Sequence, residues 1–302
     1  MSAAQTAPVI KPDIAFIGLG KMGVPMVQSL LRAGYKVKGF DLNPDAAKVF
    51  AGDASFSVGA APAASCAGAA LVILMLPDSK IVDKLLWEDA GGLVKSLLPG
   101  SLLVDMGSSD PVRSRDNAAK LLLQGVHFVD APVSGGVRRA VDASLAIMIG
   151  GEKTAVERAL PVLQAMGKTL VHVGDAGAGH AVKALNNYVS ASGLVAACEA
   201  LVAAEKFGID PLLVNQVFNA STGKNNTTEH KVESYMLSGS FGSGFALGLM
   251  RKDLQTAQGF IERMGTPGEF AELCLNTWVE AEQGLEPGAD HTAMYKFLRD
   301  KK

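Results

Sequence analysis

Lys183 and Asn187 lie four residues apart in a stretch with a helical pattern, so their side chains are predicted to share one helix face. A lysine can take up or release a proton, and an amide can hold a reacting oxygen without adding charge. Both side chains are costly to bury in a largely apolar helix unless they are used. On spacing alone an ordinary interpretation is equally good: Lys183 extends to solvent along its apolar stem, and Asn187 satisfies a backbone group.

A second polar stretch follows a predicted strand that ends at Asp130. Here Ser134 precedes two glycines, Gly135 and Gly136, so its hydroxyl and unobstructed backbone N–H groups could bind an anion such as a substrate carboxylate. The alternative is a flexible surface turn.

Two later stretches carry polar side chains with weaker indications. The stretch Lys252-Asp253-Leu254 begins a late predicted helix and, taken alone, has the pattern of an ordinary charged helix face. Residues 221–228 form a long polar connection that either lines a pocket or is solvated, with Thr227 or Thr228 capping the next helix.

A glycine turn near the N-terminus lies between a predicted strand over 14–17 and a helical pattern over 24–33. The turn has the sequence Gly18-Leu19-Gly20-Lys21-Met22-Gly23. In this setting Gly18 permits the tight turn, Gly20 lets the backbone approach a pyrophosphate, and Gly23 allows the helix to pack closely on the strand. The helix N-terminus adds free N–H groups and a partial positive charge for the phosphates.

Asp41 ends a second predicted strand, over residues 35–40, at about the 20-residue spacing from the turn where an acid contacts the adenosine ribose. A carboxylate at this position accepts hydrogen bonds from the ribose hydroxyls and repels a 2′-phosphate. The pattern therefore predicts dinucleotide binding, with NAD favoured over NADP. A flavin, another nucleotide, or a glycine turn without a ligand are the alternatives.

Composition sets the class of protein. The chain has 302 residues, 48% hydrophobic and 19% charged, which is typical of a soluble globular protein with room for two domains. A formal charge of −2 gives no overall attraction to nucleic acid or to an anionic membrane. We expect no membrane-spanning run and no secretory signal, and therefore a cytoplasmic location.

The sequence gives little indication of a metal site or of an activated nucleophile. The three cysteines are scattered, and the five histidines have no paired spacing, so no metal site is expected. No Ser-His-Asp set is indicated either.

Apolar strands alternate with amphipathic helices over the first part of the chain. Strands are predicted over residues 14–17, 35–40, 71–76, 102–105, 126–130, 145–149 and 170–173. This alternation predicts an α/β fold with a Rossmann-type, doubly wound, mostly parallel sheet. Such sheets bind ligands at the carboxyl ends of their strands, where the chain places Leu76 and Pro77, residues 107–109 and residues 131–136.

The pattern of apolar residues changes after about residue 180, where no further strand is predicted. A long helical pattern over 180–207 is apolar on most faces, so it should be buried inside a second, all-helical domain or between two subunits. Further helices are predicted over 212–219, 228–237, 249–264 and 268–282. We place the boundary at the glycine-rich turn near 175, with an NAD-binding domain over 1–175 and a helical substrate and oligomerisation domain over 176–302.

Taken together, these stretches resemble the β-hydroxyacid dehydrogenases, the family of 3-hydroxyisobutyrate dehydrogenase and tartronate semialdehyde reductase. The resemblance extends from Ile14 to about Gly259 and rests on four motifs in the family's order. They are the glycine turn, the Asp130-to-Gly136 loop, the Gly174-to-Asn187 block and Lys252-Asp253-Leu254.

The resemblance implies a role for each matching residue. Lys183 matches the catalytic lysine, Asn187 an asparagine that holds the substrate, and Asn186 its supporting neighbour. The turn Ser134, Gly135 and Gly136 matches the loop that binds the substrate carboxylate. The motif and the strand ends already predict cofactor contacts for the glycine turn, Asp41, Leu76 and Pro77. The resemblance adds Ser108, where the family usually has a threonine near the nicotinamide and substrate, and Lys252, which matches a lysine that closes over the cofactor. At Gly107-Ser108 the family often has Ser-Thr, which leaves the reach of Ser108 open.

The implied activity is hydride transfer between the hydroxyl-bearing carbon of a small β-hydroxy acid and NAD, or NADP, with Lys183 as general acid and base. The implied partners are a small carboxylate substrate and further copies of the chain, which form a homodimer or homotetramer through the helical domain. A related reductase acting on imines and a non-catalytic nucleotide-binding module are the alternatives. Both kinds of relative usually lack the lysine, so Lys183 argues against them.

Overall fold

A computed structural model describes residues 11–88 and 92–301 of the chain. The chain forms two compact units, residues 1–180 and 181–302. The division lies five residues after the predicted boundary at 175, because residues 176–180 turn back onto the strand ends of the first unit, as shown below.

The first unit is built on one sheet, which has nine strands within the described residues. They are β1 (Ile14–Ile17), β2 (Val37–Phe40), β3 (Phe56–Val58), β4 (Leu71–Leu74), β5 (Leu102–Asp105), β6 (His127–Asp130), β7 (Val133–Ser134), β8 (Leu145–Gly151) and β9 (Gly167–Gly174). The strand order is β3-β2-β1-β4-β5-β6-β8-β7, and β9 pairs with β8. The pairs of β8 with β6 and β7 are antiparallel and the others are parallel, so the predicted doubly wound, mostly parallel sheet is confirmed.

Both faces of this sheet are covered, which explains why the central strands are continuous apolar runs rather than alternating ones. In β4, Leu71 and Ile73 pack into the hydrophobic core on one face, while Val72 and Leu74 pack into the core on the other. The flanking helices are α1 (Gly23–Arg32), α2 (Pro62–Cys66), α3 (Ser79–Asp83), α4 (Pro111–Leu122), α5 (Gly136–Val141) and α6 (Lys153–Gln164).

The second unit consists, within its described residues, of helices and their connections, with one isolated β-bridge between Ala246 and Asp290. Its α-helices are α7 (Ala178–Phe207, which begins in the first unit), α8 (Pro211–Ala220), α9 (Asn226–His230), α10 (Leu247–Arg263), α11 (Glu269–Gly284) and α12 (Met294–Asp300). A π-helical turn (Val232–Leu237) follows α9, and a 3₁₀ turn (His291–Ala293) precedes α12. They enclose a core in which Trp278 is completely buried among Leu194, Leu201, Met250 and Leu254.

The first unit also contains two helical turns that are not α-helices. They are the π-helical turn Lys84–Glu88, which follows α3, and the 3₁₀ helix Pro44–Phe50. Strand β7 and helix α5 were not predicted, because Ser134-Gly135-Gly136 has the composition of a turn.

Helix α7 corrects one expectation from the sequence. Within the described residues it is the one helix long and apolar enough, by length and composition alone, to cross a membrane, although no apolar run of that length was expected. Core helices of soluble proteins pass the same test. In the chain the helix is also less buried than its composition suggests, since Val189 and Phe207 are 69% and 84% exposed.

Candidate active site

The glycine turn after β1 is shaped by two glycines that tolerate no side chain. Gly18 has a φ of 103°, and a Cβ built on it would lie 2.3 Å from the carbonyl oxygen of Met75. A Cβ on Gly23 would lie 1.9 Å from the carbonyl oxygen of Gly18. These contacts hold the first turn of α1 against the end of β1, as the motif predicts.

Gly20 differs from both, because a Cβ built on it would meet nothing within 4 Å, and its φ lies outside the left-handed region. The fold therefore does not require a glycine here, and the open space is a cradle that a side chain would fill. The N-cap residue of α1, Met22, forms no side-chain capping hydrogen bond. Val24 donates its N–H to the carbonyl oxygen of Gly20 at 3.1 Å and Pro25 has no N–H, so Gly23 is the first-turn residue whose N–H can bind an anion. Both observations fit the pyrophosphate of a dinucleotide.

Asp41 lies at the end of β2 beside this turn. One carboxylate oxygen accepts a hydrogen bond from the backbone N–H of Leu19 at 2.7 Å, and the other accepts one from Asn43 at 2.8 Å. Each oxygen has a second lone pair that can accept a ribose hydroxyl. Asp41 thus also fixes the glycine turn, a role that the sequence did not indicate.

The ends of β4 and β5 meet beside Gly18. A Cβ on Gly107 would lie 2.6 Å from the carbonyl oxygen of Leu76, and the Leu76 side chain reaches to within 3.4 Å of a Cβ on Gly18. Ser108 follows at the strand end and is half-buried, and Pro77 is exposed. The predicted cofactor residues Leu76, Pro77 and Ser108 therefore lie at the same edge of the sheet as the glycine turn.

The Ser134 turn is held between β7 and α5. Ser134 pairs with Ala146 of β8 and is half-buried. Gly135 and Gly136 have φ values of 126° and 65°, conformations that favour glycine. The turn is thus fixed by a strand on one side and a helix on the other, and it does not have the character of a flexible surface loop.

Asp130 anchors the first turn of α7 and is completely buried. Its carboxylate accepts hydrogen bonds from the backbone N–H groups of Gly177 at 2.7 Å and His180 at 2.8 Å. The His180 ring is buried too, with Nδ1 2.8 Å from the Ser114 hydroxyl. A Cβ on Gly179 would lie 2.6 Å from the carbonyl oxygen of Met148, so the helix starts in direct contact with the sheet.

Lys183 and Asn187 belong to a polar cluster in the second unit. The Lys183 amine lies 3.5 Å from the Asn187 side-chain oxygen, which also accepts a hydrogen bond from Asn186 at 3.2 Å. The Asn187 amide donates to Asp253 at 2.6 Å, and the Lys252 amine is 3.3 Å from the other oxygen of Asp253. Asp253 thus contacts Asn187 and Lys252 directly, and Lys183 and Asn186 join the cluster through the Asn187 oxygen.

Asp253 is the member of this cluster that the sequence analysis gave no role. It is buried and accepts the Asn187 amide, which sets the direction of that amide and leaves its oxygen toward Lys183. The signal in the sequence was an acid within the Lys252-Asp253-Leu254 motif, but only the fold brings it to Asn187.

Burial lowers the pKa of Lys183 below its ordinary value of 10.5. The Asp253 carboxylate raises that pKa in part, and the positive charge of Lys252 lowers it. The result is an amine with a larger neutral fraction at a given pH than a solvated lysine has. Such an amine is suited to accepting and returning a proton.

The polar segment 221–228 serves mainly as a helix cap. Asn225 accepts hydrogen bonds from Thr227 and Thr228 at the start of α9, and Thr228 completes a capping box. Both threonines are buried. Within residues 11–88 and 92–301 no group of three or more His, Cys, Asp or Glu side chains is arranged to hold a metal ion.

Family profiles cover nearly all of the chain. Residues 13–174 match the profile described as the NAD binding domain of 6-phosphogluconate dehydrogenase. Residues 177–298 match the profile described as NAD-binding of NADP-dependent 3-hydroxyisobutyrate dehydrogenase. A Rossmann-type unit followed by such a helical unit defines an NAD(P)-dependent dehydrogenase, and NAD(P) is its cofactor.

Similarity to individual proteins identifies the family within this class of dehydrogenases. The chain is 37% identical to 2-(hydroxymethyl)glutarate dehydrogenase of Eubacterium barkeri over 81% of its length and 80% of the relative's. It is 34% identical to 3-hydroxyisobutyrate dehydrogenase of Pseudomonas aeruginosa over 96% and 99% of the two lengths. The solved structure of Mycobacterium tuberculosis 3-hydroxyisobutyrate dehydrogenase with L-serine superposes with a TM-score of 0.87 at 32% identity, over 96% and 100% of the two chains. The chain belongs to the β-hydroxyacid dehydrogenase family.

Proposed function

We propose that this dehydrogenase oxidises the hydroxyl-bearing carbon of a small, 3-hydroxyisobutyrate-like β-hydroxy acid with NAD, and that Lys183 is the general acid and base. The observation that supports this most directly is the Lys183 amine, whose pKa burial lowers and which lies beside the Asn187 oxygen. Relatives named for oxidising 3-hydroxyisobutyrate and 2-(hydroxymethyl)glutarate support the substrate class.

In the oxidation, neutral Lys183 accepts the hydroxyl proton at Nζ, and in the reverse direction its ammonium form returns that proton. Asn187, with its amide held by Asp253, holds the reacting oxygen or the lysine in position. The Ser134 hydroxyl and the N–H groups of the turn bind the carboxylate, and Lys252 closes over the cofactor. When bound, the nicotinamide takes up the hydride in oxidation and supplies it in reduction.

A substrate screen tests this proposal. Purified protein is supplied with NAD or NADP and with 3-hydroxyisobutyrate, 2-(hydroxymethyl)glutarate, glycerate, L-threonate or L-serine, and the absorbance of the reduced nicotinamide is followed. We expect turnover of at least one β-hydroxy acid and none of alcohols that lack a carboxylate. Turnover of cyclic imines with reduced cofactor, without oxidation of any hydroxy acid, would refute the proposal.

We further propose that NAD is preferred over NADP because Asp41 repels a 2′-phosphate. Asp41→Arg should lower the ratio of kcat/KM for NAD to that for NADP by about 100-fold, since the repulsion is lost and a guanidinium can bind the phosphate. Arginine cannot accept the Leu19 N–H, so we also expect a lower melting temperature. Asp41→Asn is the matched control, because it keeps an acceptor but removes the charge. An unchanged ratio in both variants would mean that another group selects the cofactor.

A homodimer or homotetramer formed through the helical unit is proposed as the assembly. Large apolar side chains support this, since Val189 of α7 and Phe270 and Leu273 of α11 are 69%, 59% and 62% exposed. Light scattering of the purified protein should give two or four times the chain mass of 31.4 kDa. A mass of one chain at micromolar concentration would contradict this.

A further inference from the structure

Arg139 lies directly on the glycine turn that we assign to the substrate carboxylate. A Cβ built on Gly135 would lie 2.3 Å from Cδ, 2.8 Å from Cβ and 2.9 Å from Cγ of Arg139. The aliphatic stem of the arginine therefore crosses the face of Gly135. The guanidinium begins one bond beyond Cδ, so it lies at the rim of the turn.

The backbone of Arg139 is held firmly in this position. It belongs to α5, and its carbonyl oxygen accepts the N–H of Ser144 at 2.8 Å just before β8. The next residue, Ala140, is completely buried, and its carbonyl oxygen accepts the Ser29 hydroxyl of α1 at 3.3 Å. The point from which the side chain starts is therefore set by the fold before a ligand binds.

The charge of Arg139 has no partner in the part of the chain that the structure describes. Its side chain is exposed, and among residues 11–88 and 92–301 its guanidinium forms no ion pair or hydrogen bond. Two other arginines are engaged by contrast: Arg113 pairs with Asp83 at 2.7 Å, and Arg251 pairs with Glu282 at 2.8 Å. An unpaired guanidinium beside an anion-binding turn is a ready partner for a second carboxylate.

Two groups that are able to bind an anion thus differ in their burial at this turn. The Ser134 hydroxyl is half-buried, whereas the Arg139 guanidinium is exposed at the rim. A monocarboxylic acid bound at Ser134 would leave the rim charge facing only solvent. In a 3-hydroxyisobutyrate-like acid, the carbon next to the carboxylate carries the hydroxymethyl group and a third substituent. An acid with a second carboxylate on that third substituent could contact both Ser134 and Arg139.

We propose that Arg139 binds a second carboxylate of the substrate, so that the chain acts on β-hydroxy dicarboxylic acids in preference to β-hydroxy monocarboxylic acids. This inference rests on the proposed function, because it uses the Ser134 turn as the site of the first carboxylate. It makes Arg139 a residue that determines specificity and does not give it a part in hydride transfer.

Kinetics with matched substrates test this inference. 3-Hydroxyisobutyrate, 2-(hydroxymethyl)pentanoate and 2-(hydroxymethyl)glutarate share the reacting group and differ in the length and charge of the third substituent. We expect wild-type protein to show the highest kcat/KM with the glutarate. Arg139→Met keeps an unbranched stem on Gly135 but removes the charge, and it should raise KM for the glutarate by about 10- to 100-fold. For the two monocarboxylates, kcat/KM should stay within about twofold of wild type.

Two further variants separate binding from an effect on the fold. Arg138→Met removes another exposed charge from the same turn of α5, so it should leave kcat/KM for all three substrates unchanged. Arg139→Lys retains a charge without the planar fork and should restore part of the affinity for the glutarate. An equal loss for all three substrates in Arg139→Met, or no loss for any, would overturn the inference.

Binding without turnover makes the result independent of the proposed reaction. Calorimetric titration of the protein, saturated with NAD, should show tighter binding of 2-methylglutarate than of isobutyrate, and Arg139→Met should abolish the difference. If wild-type protein binds both acids equally, Arg139 does not select dicarboxylates. If the preference depends on Arg139 but no hydroxy acid is oxidised, the proposed function fails while the dicarboxylate site stands.

Discussion

Lys183→Met is expected to lower kcat for oxidation of the substrate acid by about 10²- to 10⁴-fold and to leave the affinity for NAD(P) unchanged. Methionine has a similar length and apolar stem but cannot accept the hydroxyl proton. Stopped-flow and steady-state measurement of reduced nicotinamide, with NAD(P) titrations by fluorescence, would separate the two effects. A variant that retains near wild-type turnover on the true substrate would disprove the role of Lys183.

Lys231→Met is the matched control for this variant. Burial lowers the pKa of Lys231 to about 8, yet Lys231 lies outside the cluster around Asp253. It therefore tests whether a buried amine in the helical unit is enough to affect turnover. We expect kcat within about twofold of wild type for this control.

The pH dependence provides a second readout of Lys183. Because oxidation needs the neutral amine, its rate should rise with pH up to the pKa of Lys183, which lies below 10.5. Reduction needs the ammonium form, so its rate should fall as pH rises through the same value. Lys183→Met should lose this dependence, whereas Lys231→Met should keep it.

Stability gives a check that the Lys183 variant is folded. The pKa of Lys183 is lower in the folded chain than in the unfolded chain, so the unfolded chain binds the proton more tightly. At neutral pH this reduces the free energy of unfolding, and the reduction disappears as pH rises toward 10.5. Lys183→Met removes the penalty, so at pH 7 the variant should melt no lower than wild type.

The second large effect is expected from alanine substitution of Gly20 and Gly23, which should affect cofactor binding and stability separately. Gly20→Ala should leave the melting temperature unchanged, because its methyl group meets no protein atom within 4 Å. It should weaken NAD(P) binding by about 10- to 100-fold, since the methyl group occupies the space for the pyrophosphate and lengthens its hydrogen bonds.

Gly23→Ala should show the opposite result. Its Cβ would lie 1.9 Å from the Gly18 carbonyl oxygen, so α1 must move away from β1. We expect a loss of about 3 kcal/mol in the free energy of unfolding, measured by chemical denaturation without cofactor. If Gly20→Ala unfolds as easily as Gly23→Ala, or binds NAD(P) as wild type does, then the space at Gly20 does not hold the pyrophosphate.

Much of the first unit could be predicted from the sequence for a simple physical reason. A strand buried on both faces must be a continuous apolar run, and β4 and β5 have this pattern. The glycine turn could be predicted equally well, because the steric requirements at Gly18 and Gly23 involve residues that are close in sequence. The pairing of β7 depends on β8, which lies 12 or more residues later in the chain. The local sequence Ser134-Gly135-Gly136 does not predict this pairing.

The candidate site was only partly predictable. Lys183 and Asn187 share a helix face by spacing alone, but the hydrogen bond from Asn187 to Asp253 bridges two helices and is set by the tertiary fold. Arg139 follows the Ser134 turn as an unremarkable charged residue, and its position on Gly135 depends on the glycine having no side chain. The predicted roles of these residues stay predictions until the variants are measured.

The Asp130 contacts set where the polypeptide can be divided. A fragment that stops at 175 would lack the N–H groups of Gly177 and His180, so the Asp130 carboxylate would lose both backbone donors and the segment that buries it. A hydrogen bond to a charged group contributes about 1.5–3 kcal/mol, so the loss of two is a large share of a domain's stability. The first half of this chain can therefore stand alone only if it carries the opening turn of the helix that leads out of it.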